Sequence, residues 1–184
     1  MNWPSVVSDW GSTASDRARD YPCDRLVPDA DQMMFRALDV DAPAAVTFRW
    51  LCQLRAAPYS YDKLDNRGRR SPQTLTAGLD QLAPGQRMQT IFRLIEFEPG
   101  ESLTMGTASR LFGRIACTYR AAPVTDRRSR IVVKLIVAYP ARALHGPLLR
   151  LLLAPGDLVM MRRQLLNLKG LAEHTYETTR RPSP

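Results

Sequence analysis

The chain has 184 residues, 45% of them hydrophobic and 24% charged, which suits one ordinary globular domain and is barely long enough for two. IVVKLIVAY is interrupted by Lys134 and PLLRLLLAP by Arg150, so no apolar run approaches the roughly 20 residues of a membrane span. The formal charge of +8 comes from 26 bases, 23 of them arginine and only three lysine, against 18 acids. Those arginines are dispersed in pairs at most, as on solvated faces, so nucleic acid is not the expected partner.

Charge is uneven along the chain. Residues 1–41 carry eight acids and four bases, net −4, and the remainder carries net +12. Residues 1–30 read as an acidic N-terminal arm, with Pro4, Pro22 and Pro28 and no periodicity, which wraps the domain or stays partly disordered. Trp3 and Trp10 suggest that it docks. The first 20 residues lack both a basic start and an apolar core, so no secretory signal is read and a cytoplasmic protein is expected.

Residues 31–184 are expected to form a single domain. Residues 33–41 form a strand ending at Asp41-Ala42-Pro43, and Pro43 suits the first turn of a helix. Val46, Trp50 and Leu54 then recur at helical spacing until Pro58 stops the helix. The stretch from Tyr59 to Arg87 is broken by Gly68, Pro72, Gly78, Pro84 and Gly85. From Gln89 the period becomes two. QTIFRLIEFEPGESLTMG reads as two strands joined at Glu98-Pro99-Gly100-Glu101. Ile115, Cys117 and Tyr119 then share one strand face, with Arg114, Thr118 and Arg120 on the other. Ile131, Val133, Leu135, Val137 and Tyr139 make a wholly apolar face, Lys134 marks the opposite one, and Pro123 to Arg130 reads as a polar hairpin loop. A closing helix is expected to begin after Pro155-Gly156 with Asp157 as its N-cap, carrying the stripe Leu158, Met161, Leu165, Leu168 and Ala172. LHGPLLRLLLA is expected to form a separate short helix before it.

The order is therefore strand, helix, irregular segment, four or five antiparallel strands and a long helix. A sheet with one apolar face and a helix with a matching stripe define an α+β domain. The segments LVPD (Leu26 to Asp29), LDVDAPAAVTFRWLCQL, YSYDKLDN (Tyr59 to Asn66) and VMMRRQL (Val159 to Leu165) resemble the SRPBCC, or START-like, superfamily, close to its polyketide cyclase/dehydrase-type proteins. The resemblance implies a helix-grip fold, a curved antiparallel sheet wrapped around the C-terminal helix with an internal cavity. It also implies an apolar or amphipathic small-molecule partner.

Tyr59, Tyr61 and Asp62 are the sharpest candidates for a site. Tyrosines suit a pocket rim, and Asp62 could orient a hydroxyl or act as a base on a carbonyl compound. The plainer alternative has the tyrosines packing the first helix and Asp62 capping the next turn. Trp50, Phe92, Met105, Tyr119 and Met160 are candidate cavity liners, and of the neighbours Met160 and Met161 only one is expected to point fully inward. Glu96 and Glu98 share a strand face but sit at a turn, where exposed charge is usual.

No GxSxG, P-loop or dinucleotide fingerprint is present, so no cofactor is implied. The cysteines at 23, 52 and 117 form no CxxC pair, and the only histidines, at 145 and 174, lie 29 positions apart, so no metal is expected. The leading expectation is a carrier or sensor that binds a lipid- or polyketide-like molecule. An enzyme of the cyclase or dehydratase kind, using Asp62 with Tyr61 or Tyr119, is the alternative. A basic interaction module comes third, and a homodimer is compatible with all three.

Overall fold

The computed structural model describes residues 5–109, 113–140 and 146–180, with side chains in the closing helix from Pro155 onward. Short N-terminal elements come first: α1 (Ser5–Ser8), β1 (Asp9–Trp10), α2 (Ala14–Arg17) and α3 (Cys23–Leu26). They lead into β2 (Gln32–Val40), α4 (Ala44–Cys52) with a tight helical turn over Gln53–Arg55, and α5 (Asp62–Asp65). Then follow β3 (Arg87–Met88), β4 (Phe92–Glu98), β5 (Ser102–Ser109), β6 (Gly113–Thr125), β7 (Arg128–Ala138) and α6 (Gly146–Arg180).

Among the described residues seven strands make one sheet in the order β1-β2-β7-β6-β5-β4-β3, antiparallel except for the β1–β2 pair. Strand alternation sorts its side chains onto two faces. On the inner face Met34, Leu94, Leu103, Met105, Ile115, Tyr119, Ile131, Val133 and Val137 pack against α4 and the α6 stripe Met161, Leu165, Leu168 and Ala172. Spacings of four, three and four keep that stripe on one side of the helix. This is the helix-grip arrangement of an α+β domain: a mostly antiparallel sheet closed over one long helix.

The outer face is packed as well. Tyr21, Cys23 and Val27 lie against Phe35, Ala37, Ala116, Val132 and Ile136 in a second apolar cluster. The alternation in β6 and β7 therefore separates two buried surfaces, and Lys134 is only 5% exposed. At the sheet edge Gly11 adopts φ 77°, and a Cβ there would lie 2.2 Å from the Ala37 carbonyl oxygen, so only glycine lets the chain turn off β1.

Three expectations need correction. The helix does not start at Asp157: α6 already runs from Gly146, with Pro155 inside it, and absorbs the segment expected to be a separate helix. Pro-Gly-Asp has the residue types of a helix start, but the apolar stretch before it supports a continuous helix. The loop from Pro123 to Arg130 is mostly strand, since β6 continues to Thr125 and β7 begins at Arg128. The sheet also gains the two-residue strands β1 and β3, too short to show a period. Trp3 and His145 lie outside the described residues.

Candidate functional site

Between residues 157–164 of α6 and strands β4, β6 and β7, the side chains leave a cavity of about 530 Å³. Its apolar wall is Phe92, Cys117, Leu135, Met160 and Met161, and Leu64 and Ile91 stand at its rim, 77% and 52% exposed. Gln89, Tyr119, Asp157 and Gln164 bring polar groups to its wall, and Ser60, Asp65, Arg67 and Thr90 border it as well.

Tyr119, on β6, lies 1% exposed at the centre of a hydrogen-bonded chain. Gln89 Nε2 donates to its hydroxyl at 3.2 Å, and that hydroxyl donates to Gln164 Oε1 at 2.7 Å. Gln164 Nε2 donates in turn to the Pro58 carbonyl at 2.6 Å. The chain fixes a sheet residue, a helix residue and the loop after α4 to one another. Burial pushes the Tyr119 phenol well above its ordinary value, so it remains a neutral donor and acceptor.

Asp157 brings charge to the cavity. Its Oδ2 accepts from Arg36 Nη2 at 2.9 Å, tying the helix to β2. Arg36 is fully buried, also donates to the Phe35 and Val7 carbonyls, and keeps an unpartnered Nε. Burial pushes the Asp157 carboxyl up to about 6, even though the Arg36 guanidinium pulls it down. The Cys117 thiol is likewise pushed well up by burial, so it stays protonated and is no ready nucleophile.

Phe92, Tyr119 and Met160 come together on the cavity and Met161 also borders it; of the two neighbours only Met161 is buried in the core, while Met160 stays half-buried. Trp50 and Met105 lie behind the wall. The Trp50 indole donates to Thr175 Oγ1 at 3.0 Å, and its ring meets the Tyr59 ring edge-on at 6.1 Å. Met105 is fully buried, with its sulfur 3.7 Å from Gln89 Nε2. Tyr61 is 39% exposed and borders neither the cavity nor the cleft described next.

Tyr59 and Asp62 border a different hollow, a cleft of about 380 Å³ on the far side of the 58–60 segment. Both Asp62 oxygens accept from Ser71, one from its amide at 2.9 Å and one from its hydroxyl at 2.6 Å. Asp62 and Tyr119 thus do not converge on a common point. Glu96 pairs with Arg25 on the outer face of the sheet, away from the cavity.

Arg36, Gln89 and Gln164 were not singled out from sequence, and Asp157 only as a helix cap, yet three of the four left a signal as site residues. Alternation puts Arg36 on the face of Met34 and Leu38. Gln164 interrupts the apolar stripe beside Leu165, and Asp157 lies one turn before Met161 on the same helix side. Gln89, where the period-two pattern was expected to open a strand, instead sits at φ 51° in the turn between β3 and β4. Among the described residues no three His, Cys, Asp or Glu side chains gather as a metal site, and no helix is long and apolar enough to cross a membrane.

The arrangement of sheet and closing helix is a helix grip. Similar solved structures include the Zhui aromatase/cyclase from Streptomyces sp. R1128, at 15% identity over 82% of this chain and 96% of that one, with a TM-score of 0.49. Ara h 8.0201 is similar at 10% identity over 80% and 98%, with a TM-score of 0.48. TTHA0849 from Thermus thermophilus follows at 15% over 78% and 98%, with a TM-score of 0.49. No family model and no curated protein matches the sequence. The chemistry is therefore argued from the cavity itself.

Proposed function

We propose that the protein binds an apolar or amphipathic small molecule in the cavity between α6 and the sheet, as a carrier or sensor. The observation that carries this reading is the wall itself: about 530 Å³ bounded by Phe92, Leu135, Met160 and Met161 and reached past the exposed Leu64 and Ile91. That volume suits a small organic ligand, and a few polar groups on an apolar wall would orient it. Gln89, Tyr119 and Gln164 largely satisfy one another, so the ligand's apolar body supplies most of the binding.

Native mass spectrometry of the purified protein, followed by organic extraction, tests the reading. A stoichiometric lipid or aromatic adduct is expected, or uptake of an apolar fluorescent probe that Met160→Arg abolishes. A folded protein that yields no adduct and takes up no probe would overturn it.

One observation favours a second reading, chemistry in the same cavity. A carboxyl poised near 6 and backed by a guanidinium is the kind of group that moves a proton at neutral pH. On that reading Asp157 is the acid–base group for a polyketide-like carbonyl substrate, and Arg36 sets its charge. Asp157→Asn would then retain ligand while losing turnover.

A further inference from the structure

We infer that the cleft behind the 58–60 segment is a second binding site, for the zwitterion of a small amino acid with an apolar side chain. This is independent of what fills the cavity. The cleft, about 380 Å³, is walled by Tyr59, Ser60, Asp62, Ser71 and Gln73 on one side and by Arg163, Leu166, Asn167, Gly170 and Leu171 of α6 on the other.

Its two charged residues, Asp62 and Arg163, border the same hollow without forming an ion pair. Asp62 is partly buried, and both its oxygens are steadied by Ser71, each still having a lone pair for a further donor. Arg163 is exposed and has no carboxylate or carbonyl partner among the described residues. A guanidinium and a carboxylate that border one hollow yet form no ion pair leave a gap, and a molecule bearing a carboxylate and an ammonium spans it. The guanidinium fork matches a carboxylate in two-point contact.

The neutral groups add acceptors. Asn167 uses its amide hydrogen on the Tyr59 carbonyl at 2.8 Å, and Gln73 uses its own on the Ser71 carbonyl at 2.9 Å. Each amide oxygen therefore remains for a donor such as an ammonium. Leu166, 37% exposed, and Leu171 give the apolar side chain a surface.

Two backbone features fit a kept space. Tyr59 holds φ 57°, unusual for a bulky residue, and the Asn167 bond to its carbonyl anchors that conformation. Gly170 lies inside α6, and a Cβ there would meet nothing within 4 Å, so packing does not require glycine at this position. Glycine disfavours the helix, but it keeps the floor of the cleft low.

The test is ¹⁵N NMR titration of the whole chain with leucine, using 3-methylbutylamine and 4-methylpentanoate as single-charge controls. Leucine should shift the amides of residues 62, 73, 163 and 170 and bind at least about tenfold more tightly than either control. Arg163→Gln, at an exposed position, should abolish the shifts and leave the fold intact. Gly170→Ala should raise the melting temperature by about 2–4 °C while weakening leucine at least about tenfold. Absence of shifts at millimolar leucine would overturn the inference. So would equal binding of a control, or binding that survives Arg163→Gln. A stabilised Gly170→Ala that binds normally would move any site away from this cleft and overturn it as well.

Discussion

On the outer face of the sheet Lys134 is buried among aromatic rings. On the inner face, one strand over, Arg36 is buried beside the cavity. Lys134 is paired with Phe35 and Arg36 with Val133 in the same β2–β7 ladder, so the two cations are close in register and point opposite ways. Lys134 Nζ donates to Asp24 at 2.7 Å and lies 5.4 and 5.5 Å from the Tyr21 and Phe35 rings. Its partner Asp24 is 36% exposed and keeps contact with water. Arg36 has an orphaned Nε, and its partner Asp157 is pushed up to about 6. The outer pair closes a packed surface. The inner pair holds charge at the edge of a void, an arrangement that packing alone does not call for.

Removing each cation should separate the two cases. Arg36→Met leaves the Asp157 carboxylate buried without its partner, and breaking a buried pair in that way costs about 3–5 kcal/mol. Urea unfolding should show that loss, and adding Asp157→Leu should recover most of it. A single variant within about 1 kcal/mol of wild type would mean that the pair is not buried as described. Lys134→Met keeps the alkyl packing and releases Asp24 toward water, so about 1 kcal/mol is expected from the same measurement. Equal losses at the two sites would erase the contrast.

The pH dependence sharpens it further. The folded carboxyl of Asp157 titrates near 6, above its ordinary value of 3.8, so the folded state binds the extra proton between those values. Its contribution is therefore fully present below about pH 4 and lost as pH rises through 6, by at most about 3 kcal/mol. Asp16 and Asp29 are held below the ordinary carboxylate value and act in the opposite sense, losing their contribution as pH falls. The informative quantity is thus the difference between wild type and Asp157→Asn. The variant should gain on wild type from pH 4 to 6 and run parallel above, and a difference that is flat with pH would contradict the raised carboxyl.

How much of this was legible in the sequence follows from what each element needs. Strands β5 to β7 and the α6 stripe declare themselves because one face of each is buried against the same core, and alternation or helical spacing records that directly. The helix start misleads because Pro155, Gly156 and Asp157 satisfy the local rules for a cap, whereas the helix is continued by residues on either side. The outer apolar cluster was hidden: Tyr21, Cys23 and Val27 come from an aperiodic segment whose partners on β6 and β7 lie far along the chain. The site was the least legible part. Phe92, Tyr119 and Met160 follow from the fold, but of the YSYD segment only Ser60 reaches the cavity, while Tyr61 is exposed and Tyr59 and Asp62 border the other cleft. The backbone reversal at Tyr59 that decides this leaves no periodic trace.

The smallest expected effect tests whether the polar chain in the cavity is structural or kept for a ligand. Tyr119→Phe removes one hydroxyl and leaves Gln89 and Gln164 to find other partners. If the cavity is wet and open past Leu64 and Ile91, water replaces that hydroxyl, and thermal unfolding should show a loss of about 1 kcal/mol or less. If the chain were sealed like the packed outer face, two stranded amides would raise the loss to about 2–3 kcal/mol. The bond from Gln164 to the Pro58 carbonyl does not involve Tyr119, so the loop after α4 should stay in place in either case. A small loss of stability combined with a clear loss of probe affinity would locate the hydroxyl's role in the ligand. A large loss of stability would make the inner face as closed as the outer one and remove the main support for binding in the cavity.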